Sequence, residues 1–129
     1  MHELVFAHNR VYSEGGEVFD VSSPSAPTNL GKLPTWGGTR PLPNDPTRVL
    51  LGSFGQPGTG AIFRMLDAAT RTTKAMVTIA AATSYYTRDL DLMGNDSVAF
   101  LSVDNPPPGA PLDPERPNLL IVARLSLLP

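Results

Sequence analysis

The sequence predicts an all-β fold. Three observations carry that expectation: helical periodicity is scarce, β-forming runs recur at intervals of about ten residues, and turn formers are abundant. Of the 129 residues, 11 are Gly and 14 are Pro. That is about a fifth of the chain against about an eighth in average usage, which favours short strands with many turns over long helices.

The elements follow in chain order. Gly16-Glu17-Val18-Phe19-Asp20-Val21 is a short β-run, and Arg48-Val49-Leu50-Leu51-Gly52-Ser53-Phe54 is a second. The one stretch that admits a helix is Ile62 to Thr78, where Met65 to Thr70 would supply one or two turns. A hairpin accounts for it better. Ala61 to Leu66 and Thr72 to Ile79 are both rich in strand formers, and Asp67-Ala68-Ala69-Thr70-Arg71 between them is a turn whose Asp and Thr side chains can bond nearby backbone. Ser97 to Val103 and Asn118 to Leu125 complete the set. Between these two, residues 105–117 are Pro-rich and cannot sit in a central ladder, so they are expected to form a surface loop.

The strands recur as a unit. Gly16 to Val21 aligns with Gly60 to Met65 at an offset of 44, and the same offset carries Leu33-Pro34-Thr35 onto Val77-Thr78-Ile79. Thr39-Arg40 matches Thr87-Arg88 at 48, and Val49-Leu50-Leu51 matches Val98-Ala99-Phe100 at 49. Each unit reads as a first strand, a hairpin of second and third strands, and a fourth, with units at residues 1–35, 39–80 and 87–129. Periods of about 40–50 residues with four strands each are the pattern of propeller blades.

Gly16-Glu17-Val18-Phe19-Asp20-Val21-Ser22-Ser23-Pro24-Ser25-Ala26-Pro27 resembles the LVIVD-type β-propeller repeat, in which a β-run is followed by Asp-Val-Ser-x-Pro-x-x-Pro. Leu66-Asp67-Ala68-Ala69-Thr70 is similar to the Asp-x-x-Thr turn of YVTN and quinoprotein-like propellers. The resemblance implies about three four-stranded antiparallel blades, a partial β-propeller, and an extracytoplasmic or cell-surface location. Propellers close with about four to eight blades, so three leave apolar faces open. Either the chain belongs to a longer protein, or copies associate through the open faces, or the strands form a compact barrel or sandwich instead.

Composition narrows the chemistry. Ten Lys plus Arg against 12 Asp plus Glu give a formal charge of -2, which lacks the basic footprint of a nucleic-acid partner. There is no cysteine, so disulfides, thiolate metal sites and cysteine nucleophiles are excluded. No apolar run is long enough to span a membrane, and Met1-His2-Glu3-Leu4 has neither the basic nor the apolar region of a signal peptide. His2 and His8 are the only histidines, and their spacing of six does not suit a helical metal pair. Asp89-Leu90-Asp91-Leu92-Met93-Gly94-Asn95-Asp96 offers oxygen ligands for calcium. Met93 nevertheless stands at the third ligand position, and Ala99-Phe100-Leu101 stands where a glutamate is required, so a strand and turn is the better reading. The Gly-rich run from Gly52 to Gly60 lacks the Gly-Lys-Ser/Thr ending of a phosphate loop, and there is no Gly-x-Ser-x-Gly elbow. No cofactor or metal is implied.

The candidate ligand-binding residues are Arg40, Arg88, Asp89, Asp91 and Trp36. Arg40 and Arg88 fall at matching places on the strand that lines a propeller's channel. A ring of arginines there would favour an anionic ligand, and the competing reading pairs each with an acidic neighbour such as Asp45 or Asp89. Trp36, between the first two units, reads as a wedge between blades or as a rim anchor. The function expected is a non-enzymatic binding or scaffold module that recognises a protein or small molecule through its rim loops. The alternative is a piece of a propeller enzyme whose channel-mouth site other blades complete.

Overall fold

The computed structural model describes residues 3–35, 37–53, 61–79, 86–94, 96–103 and 119–126. Trp36, the body of the Gly-rich run and the Pro-rich residues 105–117 lie outside them. The chain is all-β, built as three antiparallel sheets in sequence order. The first holds β1 (Leu4–Ala7), β2 (Arg10–Ser13), β3 (Glu17–Asp20) and β4 (Thr28–Lys32), and the middle one β5 (Gly37–Leu42), β6 (Asp45–Ser53), β7 (Ala61–Asp67) and β8 (Thr73–Ile79). The third holds β9 (Tyr86–Met93), β10 (Ser97–Val103) and β11 (Leu119–Arg124). Each is a meander in which every strand pairs with the next. Among the described residues there is no helix, hence none long and apolar enough to cross a membrane.

The middle sheet is buried on both faces, and its sequence shows why. In an extended strand successive side chains point to opposite faces, so the unbroken apolar run Val49-Leu50-Leu51 serves two cores. Val49, Leu51 and Leu66 pack with Tyr12, Val18 and Leu33 of the first sheet's unit. Leu50, Ala61, Phe63 and Met65 pack with Leu90, Val98, Phe100 and Leu125 on the opposite side. Phe63 and Phe100 meet there with ring centroids 5.2 Å apart and planes tilted by 56°, a geometry that avoids stacking two negative ring faces. Successive sheets come closest at their first strands, β1 beside β5 and β5 beside β9.

Two glycines set how closely the inner strands approach. A Cβ on Gly37 would stand 2.2 Å from the Gly52 carbonyl oxygen. A Cβ on Gly52 would stand 3.0 Å from both Leu90 Cδ2 and Phe63 Cε1. Leu90 therefore fills the space that a side chain at position 52 would need.

The turns follow from local chemistry. His8 and Asn9, both with positive φ (52° and 60°), form the two-residue β1–β2 turn, the backbone geometry that matches strand twist. Asp67 accepts hydrogen bonds from the backbone N–H groups of Ala69 and Thr70, each at 2.9 Å. Arg71, at φ 60°, then turns the chain into β8. Polar bonds also tie the first two sheets together: Arg10 Nη1 donates to the Ala68 carbonyl at 2.7 Å, and His8 Nε2 lies 3.0 Å from the Leu42 carbonyl oxygen.

The repeat offsets read from the sequence fare unequally. At 49 residues, Val49 and Leu51 correspond to Val98 and Phe100, and both pairs face the preceding sheet. At 44, Val18 corresponds to Ile62, whereas the residue that faces the next sheet, as Val18 does, is Phe63. Because side chains alternate, that slip of one residue exchanges the two faces. Leu33-Pro34-Thr35 follows β4 rather than forming it.

Removing Phe63 or Leu66 tests both cores. Phe63→Ala is expected to lower unfolding stability by about 3–5 kcal/mol and Leu66→Ala by about 2–5 kcal/mol. Met76→Ala, at an exposed position, should stay within about 0.5 kcal/mol of wild type. Urea unfolding followed by circular dichroism measures all three, and a single transition for both core variants would show that the two cores melt together.

Candidate functional site

The inner strands hold most of the residues that the sequence singled out. Arg40 lies in β5, opposite Leu50. Its Nη2 reaches Glu3 Oε1 at 2.6 Å and its Nη1 donates to the Thr39 carbonyl at 2.7 Å. Arg40 is thus paired, with Glu3 rather than Asp45. Asp45 holds Arg48 at 2.8 Å.

Arg88 and Asp89 lie in β9, and Arg88 pairs in register with Leu101. Asp91 stands opposite Ala99, with its Oδ1 2.9 Å from the Leu92 backbone nitrogen. Since Val49 corresponds to Val98, Ala99 corresponds to Leu50, and the cross-strand position equivalent to Arg40 is therefore held by Asp91. Arg88 sits two β10 residues away, beyond a register shift between Ala99 and Leu101. The structure thus sets Arg40 and Asp91 on matching rungs of adjacent inner strands. Trp36 falls outside the described residues.

A second polar group was not singled out in the sequence. Ser53, almost fully buried, accepts a hydrogen bond from Arg64 Nη1 at 2.6 Å and donates to the Ile62 carbonyl at 3.3 Å. Thr39, only 3% exposed, is in register with Leu51, which is in register with Arg64. Thr39, Ser53 and Arg64 therefore share the face that packs on the first sheet. Thr39 Oγ1 finds no hydrogen-bond partner among the described residues. The signal was present in the alternation: Ser53 continues Val49 and Leu51 on one face, and Arg64 sits between Ile62 and Leu66 in β7 on the same face. A guanidinium offers only N–H donors and no acceptor, so Arg64 cannot serve as a base towards Ser53. The pair is suited to filling a buried site rather than to nucleophilic attack.

The turn carboxylates share one electrostatic character. Asp67 is held below the usual carboxylate range chiefly by the Thr70 backbone N–H, with the Thr70 hydroxyl, the Ala69 N–H and the Lys74 charge adding to it. The hydroxyl groups of Ser22, Thr47 and Ser97 lower Asp20, Asp45 and Asp96 respectively, and Arg124 further favours the charged form of Asp96. Glu17 is lowered first by the Ser13 hydroxyl. Each is a carboxylate committed to a turn or a strand end. Among the described residues no three His, Cys, Asp or Glu side chains come together as a metal site.

Fold and site together define an all-β chain of antiparallel meanders packed face to face, with Arg40 of β5 paired to Glu3. No family model matches it, and comparison with curated proteins and with solved structures likewise finds no match.

Two outcomes are expected. Thr39→Val keeps the shape and removes an unpartnered hydroxyl, so it should raise stability by about 1 kcal/mol in urea unfolding. The lowered carboxylates bind protons less readily folded than unfolded, so their stabilisation is complete above about pH 5 and is lost as pH falls through their folded values. Thermal unfolding of Asp67→Ala should accordingly show a lower Tm than wild type at pH 7, with the gap narrowing towards about pH 2.

Proposed function

We propose that this chain is a three-sheet segment of β-propeller architecture, of the LVIVD type that residues 16–27 resemble. We further propose that it is a non-enzymatic binding or scaffold module. The observation that carries the reading is the approach of successive meanders, in which first strands lie nearest one another and apolar faces pack in series. Propeller blades stack in that way around an axis.

The scaffold reading draws support from how polar side chains are used. Arg40 is engaged by Glu3, Ser53 by Arg64, and the turn aspartates by their own loops. Among the described residues the loops offer exposed surface, with residues 22–27 exposed between β3 and β4 and Ala69–Thr70 exposed between β7 and β8. Those two loops join equivalent strands of consecutive sheets. Connecting loops on a rigid scaffold are the usual seat of recognition.

The test is a peptide-display selection against the purified chain, followed by calorimetry of the enriched peptides. Ser25→Arg and Ala69→Arg should each weaken binding by about tenfold or more, roughly 1.4 kcal/mol, without moving Tm. A selection that yields no loop-sensitive binder would sink the reading. Turnover of an ester, phosphoester or glycoside that Arg40→Ala abolishes would point instead to a propeller enzyme.

A further inference from the structure

Each sheet in the stack has two faces, one turned to the preceding sheet and one to the following sheet. The middle sheet uses both: Val49, Leu51 and Leu66 face backward, and Leu50, Phe63 and Met65 face forward. The first sheet spends its forward face, Tyr12 and Val18, on the middle sheet. Its backward face keeps Leu4, Phe6, Val11 and Phe19, where Phe6, Val11 and Phe19 align across three strands. Leu4 and Phe6 are 69% and 66% exposed.

The third sheet spends its backward face, Val98 and Phe100, and keeps a forward face. There Asp91, Ala99 and Val122 align across three strands, the carboxylate at the β9 end of that rung, and Leu101 pairs with Leu120. Leu120, Val122 and Met93 are 64%, 58% and 48% exposed. The two open faces are therefore of opposite kinds, one backward and one forward, and each is the counterpart of a face that already packs inside this chain. Ion pairs stand beside both apolar rows, Lys32 with Glu17 on the first sheet and Arg124 with Asp96 on the third. An apolar centre with a charged rim is the composition of a protein interface.

We propose that two copies of this chain associate head to tail, the backward face of one copy's first sheet receiving the forward face of the other's third sheet. Resting on the propeller-type reading above, the pairing repeats the packing order already made twice within the chain. Two such junctions close a ring of six sheets, within the span of about four to eight that closes a propeller. The contact is heterologous, since each face meets a different face, and the proposal requires a rotation that closes after two copies rather than running on as a filament.

Directional complementation tests it. The wild-type chain should elute as a species of twice its 13.8 kDa mass in size-exclusion chromatography with light scattering, and dissociate only on strong dilution. Phe6→Glu spoils the backward face and Val122→Glu the forward face, so each alone should raise the dissociation constant by about a hundredfold or more. Mixed in equal amounts, the two variants retain one intact junction and should form a dimer that neither forms alone. Met76→Glu, exposed on β8, should leave the dimer intact.

A wild-type monomer at every concentration, an open polymer, or variants that do not complement would each overturn the proposal. Failure of the sheet stack itself is read separately, from the nuclear Overhauser contact between a Leu90 methyl group and the Gly52 α-protons. If that contact is present while the chain stays monomeric, the second copy is refuted and the stack stands. If it is absent, the propeller reading fails with it.

Discussion

The structure depends on one strand whose second half has no solvent face. Val49, Leu50 and Leu51 in β6 are almost completely buried, and because they alternate in direction they require apolar partners on both sides. Full burial of such a side chain is worth about 1.5–3 kcal/mol relative to exposure, so the middle sheet gains stability only when it is covered twice. The first and third sheets supply that cover. They are held in order by a chain that runs from one meander into the next, and the result is a series of sheets with two apolar layers between them.

The approach of the inner strands is the second constraint, and it comes from what is missing. Gly37 and Gly52 have no Cβ where the Gly52 carbonyl, Leu90 and Phe63 need room. The inner ends of the sheets can therefore close up while the core holds large residues such as Phe63 and Phe100. The polar face at Thr39, Ser53 and Arg64 adjoins the layer between the first two sheets, where Arg64 donates to Ser53.

Charged groups in this protein serve geometry. Asp20, Asp45 and Asp67 each accept a backbone N–H two residues on, which fixes the entry into β4, β6 and β8. Their lowered affinity for protons is a consequence of those bonds.

The sequence by itself determined the fold class, because alternation of apolar residues and the Gly and Pro content follow from local chain geometry. It also located the β7–β8 hairpin over the helical alternative, since Asp67 and Thr70 carry their turn chemistry with them. The 49-residue correspondence of Val49 and Leu51 with Val98 and Phe100 was legible for the same reason, both pairs lying in unbroken apolar runs. Tertiary structure decided what periodicity leaves open. Val18 faces forward in company with Phe63 and not Ile62, because a shift of one residue changes the face without changing the pattern of residue types. Arg40 found Glu3, 37 residues away in the chain, and the rung that matches it in the third sheet carries Asp91, since the β9–β10 ladder sets Arg88 opposite Leu101 rather than Ala99. Such pairings depend on how separate sheets come to rest against each other, a distance in space that spacing along the chain does not encode.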